Sequence, residues 1–447
     1  MDDLWIGCAA GGSGDRIDAA RPLVDAMIQA SARGVLIFEN LAERTLAFAQ
    51  LARRADPRAG FDPQLELSVS PILSDCLQHG ICIVSNFGAA NPRGAAQAII
   101  DLSESLGIRK PRVAVVEGDE LPVDHAWQLM QRSSLGHLSR QDFLSANIYQ
   151  GAVKIAEAIV AGAEIVVTGR VADPSLALGP ALAHFGWDLE DWDRLAGATM
   201  AGHLLECGAQ VTGGYFADPG RKDVPRLYDV GYPIAELSND GSCVITKPRG
   251  TGGVVELRNV KEQLLYEVHD PSAYLTPDVV ADITNADLIE IGPDRVRLSG
   301  VKGSQRPPTL KALGWFQGGW LGEAEISYAG PGAEARARLA VDIIRQRMGA
   351  SIDLRFDLIG SCSVFGDDRG KHFSTIEERG FEDVRVRAAG RHREVVEIDR
   401  LLREVYSLWL CGPAGGAGVR TAKRQRLTNA VFYVDRNDAP ASYELVS

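Results

Sequence analysis

Four short apolar runs in the first 170 residues end on polar residues fit for acid–base work. VLIFEN ends at Glu39-Asn40, ICIVSN at Asn86, VAVVEGD at Glu117 and Asp119, and EIVVTGR at Thr168-Gly169-Arg170. A carboxylate at a crowded, partly desolvated strand end has a raised pKa and trades protons near neutrality. Glu39 and Glu117 are therefore the expected acid and base. Asn86, with Asn40 and Asn91, can exchange hydrogen bonds with a carbonyl or hydroxyl. Arg170 and Arg93 carry forked donors that clamp a carboxylate or phosphate, with Asp173 close behind Arg170. The two glutamates equally suit a divalent metal, although no D-x-D or clustered ligand spacing accompanies them.

A second source of chemistry is the stretch WIGCAAGGSGDR, a short strand running into a glycine-rich turn. Gly11, Gly12 and Gly14 let a ligand approach the backbone. Asp15 or Asp18 is placed to cap a following helix. Exposed N–H groups at a helix start bind anions, so Gly11, Gly12, Ser13, Gly14 and Asp15 are expected to hold a phosphate or carboxylate. The spacing is neither G-x-G-x-x-G nor a Walker A loop. Further on, GHLLECG puts His203 and Glu206 one helical turn apart, either a base with its orienting partner or a plain surface pair. Cys207 beside them is either a nucleophile or a small buried hydrophobe.

The elements that must position these residues alternate strand and helix patterns through about residue 208. That order implies an α/β fold with a mainly parallel sheet flanked by helices, and ligands in such sheets bind beyond the carboxyl ends of the strands. Helices are expected from Ala19 to Ala32, from Leu65 to His79 and from Ser145 to Ala161. From Gly213 to Gly330 short strands alternate with Gly/Pro/Asp turns. The expected division is a glycine-turn α/β domain at 1–214 and a mixed α+β domain at 215–447.

Composition bounds the partners. The chain has 447 residues, 45% hydrophobic and 24% charged, enough for a sizeable core. Its formal net charge is −12, which argues against nucleic acid and against an anionic membrane surface. Seven scattered cysteines without a C-x-x-C pair suit a reducing compartment. With no basic-then-apolar leader and no long apolar span, a cytoplasmic protein is expected, and an enzyme of this size is expected to form a homo-oligomer.

IGCAAGGSGDRID, FENLAERTLAFAQLARR, SNFGAANP, VAVVEGD, VVTGRVADPSLALGPALAHFGW, GHLLECGAQVTGG and KPRGTGGVV together resemble the AtuA family of acyclic terpene utilisation. The resemblance covers most of the chain. It implies a catabolic setting among enzymes that handle acyl-CoA esters of isoprenoid and branched-chain acids, and a small partner domain, here expected as a separate polypeptide. It assigns no catalytic residues. The family turn carries a bulkier residue where this chain has Gly12-Ser13, which implies a different substrate if that loop touches ligand. The expected function is a hydratase, lyase or isomerase acting on a small carboxylic acid or its CoA thioester, with no cofactor required. A hydrolase or acyl transferase using a nucleophile, and a non-catalytic subunit of an acyl-CoA-processing complex, are the alternatives.

Overall fold

The computed structural model describes residues 2–132, 138–362 and 382–446. The chain divides into two compact units. The first comprises Met1–His137, Leu144–Gly314 and Ala430–Ser447, and the second Leu138–Phe143 and Trp315–Asn429. The junction expected after residue 214 thus falls inside the first unit.

In the first unit β1 (Leu4–Gly11), α1 (Ala20–Ala30), β2 (Gly34–Glu39) and α2 (Glu43–Ala55) open the chain. The helix expected over 65–79 is two pieces, α3 (Leu65–Val69) and α4 (Leu73–His79), because Pro71 between them cannot continue a helix. Then come β3 (Cys82–Ser85), α5 (Pro92–Ser105), β4 (Val113–Glu117), β5 (Glu120–Leu121) and α6 (Val123–Arg132). Residues 145–148, expected to be helical, lie instead in strand β6 (Phe143–Ile148), whose Ala146 and Asn147 pair with Leu121 and Glu120 of β5. The helix begins only after Gly151, as α7 (Val153–Val160), followed by β7 (Ile165–Thr168), α8 (Ser175–Phe185) and α9 (Trp192–Glu206). Antiparallel strands follow: β8 (Ile234–Leu237), β9 (Cys243–Thr246), β10 (Tyr274–Leu275), β11 (Val280–Asp282), β12 (Asp287–Gly292), β13 (Arg295–Ser299) and β14 (Lys302–Ser304), with α10 (Leu257–Leu265) after β9.

The central sheet runs β12-β13-β9-β8-β1-β2-β3-β7-β4 and closes on β19 (Ser442–Val446). β1, β2, β3, β7 and β4 are parallel, while β8 joins β1 antiparallel with Leu4 opposite Leu237. This is why residues beyond 214 belong with the first unit: β8, β9, β12 and β13 extend the same sheet, while β10, β11 and β14 form a small sheet of their own. The parallel strands are almost wholly buried and read as continuous apolar runs, as expected where both faces are covered. Their carboxyl ends gather Gly11, Glu39, Ser85-Asn86 and Thr168 along one rim. Gly11 is in register with Glu39 across a bulge in β1.

The second unit is built on β15 (Thr309–Ala329, from Trp315 onward), β16 (Asp353–Ile359) and β17 (Asp383–His392), all antiparallel. α11 (Ala333–Met348) and α12 (Val395–Cys411) bury Ala337, Val341, Ile344, Leu401 and Val405 against Ile326, Leu358 and Val386. β17 carries an ion-pair ladder, with Arg387 between Glu323 (2.5 Å) and Asp357 (2.7 Å) and Arg385 beside Glu325. β18 (Ala417–Asp435) pairs with β15.

Among the described residues no helix is long and apolar enough to cross a membrane.

Candidate functional site

Glu39 is the last residue of β2, and β1 and β3 on either side leave it 7% exposed. Its Oε1 accepts from the Leu41 N–H (2.9 Å) and from Asn86 Nδ2 (2.9 Å). Burial, reinforced by the nearby Asp173 charge, pushes its carboxyl up to about 8 against the lowering pull of Arg170 and those two hydrogen bonds. Asn86 Oδ1 in turn accepts from the Asn40 N–H at 2.7 Å, and Asn40 Nδ2 donates to Asp62. Asp62, Asn40, Asn86 and Glu39 therefore form one continuous buried polar string.

Arg170 continues it. The guanidinium is 1% exposed and lies 4.7 Å over the Tyr149 ring. It donates to the carbonyls of Leu41 and Val171 and to Asp173. Its donors are thus engaged within the protein, so the clamp expected from sequence serves to fix Leu41 and Asp173. Burial raises the Asp173 carboxyl despite the facing guanidinium. The Arg170 backbone N–H donates to Asp119 Oδ2 (2.9 Å), which also accepts from Asn147 (2.8 Å). Burial lifts Asp119 to about 6. Gly169 is required here, since a Cβ would lie 2.5 Å from Asp119 Oδ1. Thr168 is fully buried and spends its hydroxyl on the Gly169 carbonyl at 3.0 Å.

Two cavities of the first unit adjoin this string. One, of about 610 Å³, is lined by Asn40, Asp62 and Asn86 together with Phe48, Phe61 and Phe87, and Ser13 of the glycine turn reaches it. The other, of about 370 Å³, is lined by Asp173, Tyr149, Tyr274 and Lys311. Tyr149 donates to Glu43 (2.8 Å), which also accepts from Lys311 (2.9 Å).

The end of α9 forms a further buried cluster. His203 Nδ1 is 3.0 Å from Glu206 Oε1 and 3.4 Å from the Tyr274 hydroxyl. Burial alone would lower the imidazole pKa, but the Glu206 carboxylate and the carbonyls of Gln263 and Leu264 hold it above its ordinary value. Burial raises Glu206 to about 7. Burial and Glu206 push the Cys207 thiol up to about 12, so it is not a ready thiolate. The Cys207 backbone packs against the glycine turn: a Cβ on Gly11 would sit 2.2 Å from the Cys207 carbonyl carbon.

Several expected site residues are placed elsewhere. Glu117 pairs with Arg93 (2.9 and 2.7 Å), and Arg93 also reaches Glu444 of β19 (2.8 Å). Three strand spacings separate β2 from β4, on the order of 14 Å, so Glu39 and Glu117 do not share a site. Asn91 is the N-cap of α5. Its Oδ1 accepts from Gly94 (3.0 Å), and its Nδ2 donates to the carbonyls of Pro57 (3.1 Å) and Ala59 (2.9 Å).

The glycine turn is also not a helix start. α1 begins only at Ala20, its N-cap Ala19 has no side-chain cap, and Asp18 pairs with Arg16. Asp15 occupies the turn itself, accepting from the Gly11 N–H (2.9 Å), the Arg16 N–H (2.7 Å) and the Tyr232 hydroxyl. A carboxylate of the chain thus sits where an external anion was expected. Gly12 and Gly14 face open space, and Gly14 has φ +86°.

Sequence reasoning missed Asp62 and Tyr149 and named Asp119 only as a polar residue ending its strand, without a role. Asp62 lies in a Pro/Gly loop, and the partner of Asp119, Asn147, lies in a segment whose pattern reads as helix. Among the described residues no three His, Cys, Asp or Glu side chains are grouped as a metal site.

Buried carboxyls with raised pKa values, gathered at the carboxyl rim of a parallel sheet beside cavities, mark a functional-site candidate. The family model for the acyclic terpene utilisation family protein AtuA matches residues 4–445, and the chain belongs to that family. No curated protein matches it.

Proposed function

We propose that the chain is a catabolic enzyme that moves a proton on a small carboxylic acid or its CoA thioester, in the manner of a hydratase, lyase or isomerase. The observation that carries this reading is Glu39, a buried carboxyl with a pKa of about 8, hydrogen-bonded to a residue that lines the larger cavity. A group of that pKa gives and takes a proton at neutral pH. Asn86 and the Leu41 N–H both bind Oε1, which fixes the carboxyl and leaves Oε2 as the oxygen that carries the proton. Arg170 acts as a positioning residue, holding Asp173 and the Leu41 carbonyl. The raised Cys207 thiol speaks against a cysteine nucleophile. The reading requires no cofactor, and it keeps a small partner subunit and self-association as parts of the working enzyme.

The test is turnover of short branched enoyl- and 3-hydroxyacyl-CoA esters and their free acids, with and without Glu39→Gln. Turnover in the wild type that falls by 10²-fold or more in Glu39→Gln supports the reading. Wild-type turnover that survives the substitution removes it. Binding without turnover in either protein favours the non-catalytic subunit.

A further inference from the structure

Two carboxyls of the buried network line a cavity, Asp62 the larger and Asp173 the smaller. Asp62 is 6% exposed and has both oxygens engaged, Oδ1 with the Gln64 N–H (2.7 Å) and Oδ2 with Asn40. Asp173 differs. Its side chain is 35% exposed, and Arg170 holds its Oδ1. Among the described residues nothing donates to its Oδ2, and that oxygen is not among the closed-off polar atoms. Glu39 lines neither cavity. A ligand in the smaller cavity therefore meets Asp173 and not Glu39.

The smaller cavity also holds a cation. Among its described lining residues Asp173 is the only acid and Lys311 the only basic side chain, with Leu310 and Pro174 among the apolar ones. Lys311 gives one hydrogen bond to Glu43 (2.9 Å), and an ammonium has three donors, so donors remain for a ligand. A carboxyl that accepts a proton and a fixed positive charge in one cavity meet the needs of proton removal next to a carbonyl. The first takes the proton, and the second stabilises the oxygen that gains charge. The Asp173 charge also acts on Glu39, so a proton gained at one carboxyl favours its loss from the other.

We propose that Asp173 is the catalytic residue of the smaller cavity, exchanging the proton with substrate through Oδ2 while Lys311 supplies the positive charge for the substrate oxygen. The inference rests on the proton-transfer reading and names the group that carries it to the substrate. Asp173 Oδ2 takes the proton from the carbon beside the carbonyl. The C–H electron pair forms a carbon–carbon double bond, and the carbonyl π pair moves onto oxygen. Return of the same proton to another carbon completes an isomerisation.

The test joins labelling to kinetics on the full-length protein. A water-soluble carbodiimide with glycinamide in mild acid, read by peptide mass spectrometry, should label Asp173 in the wild type. Asp173→Asn keeps an oxygen for Arg170. On the enoyl- and 3-hydroxyacyl-CoA esters that the wild type turns over, its kcat is expected to fall by about 10²-fold or more, with KM changed by less than about threefold. Asp173→Glu keeps the charge but moves the carboxyl by one methylene, and should lose about tenfold in kcat. It stands in if Asp173→Asn does not fold. No label on Asp173, or kcat within about threefold of wild type in the folded variant, overturns the assignment and leaves Asp173 a structural partner of Arg170. Turnover that is lost in Glu39→Gln but survives in Asp173→Asn sinks Asp173 alone. Absence of wild-type turnover sinks the proton-transfer reading, and this assignment with it.

Discussion

Glu39 and Glu117 end parallel strands of one sheet and occupy the same slot in sequence, but their surroundings differ at every point. β2 has β1 and β3 as neighbours, and the Glu39 carboxyl is enclosed by Asn86, the Leu41 N–H and the Asp173 charge. β4 lies next to the edge strand β19, and the Glu117 side chain is 36% exposed and already matched by Arg93. A strand end therefore marks where a functional carboxyl can sit, while the depth of its strand in the sheet decides how closely the protein encloses it. A solvated pair is screened and worth little, whereas an enclosed acid has its protonation set by burial.

Substitutions at the two ends should separate most in activity. Glu39→Gln is expected to lower turnover by about 10²- to 10⁴-fold, while Glu117→Gln should leave kcat/KM within about twofold under the same assay. Equal losses would erase the distinction. The next largest effect is on stability. Arg170→Met leaves the Leu41 and Val171 carbonyls without their donor and the half-buried Asp173 without its partner, and should cost about 2–3 kcal/mol in denaturant unfolding. Arg93→Ala, at the exposed end, should cost about 0.5 kcal/mol or less in the same measurement.

The pH dependence sharpens the contrast further. Unfolded, Glu39 releases its proton near 4.5; folded, near 8. Between those values the folded state holds a proton that the unfolded state has lost, so stability falls as pH rises through this window and levels off above it. The melting temperature of Glu39→Gln should therefore decline less between pH 5 and 9 than that of the wild type. The smallest expected effect is at the glycine turn. Gly14→Ala forces a side chain to φ +86° in open space and should cost about 1 kcal/mol, read from thermal melting, with little change in KM.

The strands that end in these carboxyls are legible in the sequence, but the contrast between Glu39 and Glu117 is not. Apolar runs ending in Glu39, Asn86 and Thr168 are buried parallel strands, and their alternation with helical spacing gave the α/β class. Strand order was not readable, because nothing in VAVVEGD says that β4 lies beside an edge strand contributed by residues 442–446. The Ser145–Ile148 segment misled for a related reason: its apolar spacing fits a helix, and only its pairing with Glu120-Leu121 selects a strand. In the glycine turn Asp15 folds back onto the Gly11 N–H, a contact between residues four apart that short-motif reading assigns to a helix cap instead.

The strand Ser442–Val446 also bears on how the molecule comes to be made. It pairs along β4 from Val113 to Glu117, and Gly118 must lack a side chain because the Pro440 carbonyl lies 2.4 Å from where its Cβ would be. During synthesis more than 300 residues emerge between β4 and its last partner. Throughout that interval β4 presents an open row of backbone donors and acceptors, a template for pairing with another nascent chain. Loss of the last strand should therefore be felt first as poor yield and clumping on the ribosome's timescale, before any question of catalysis arises.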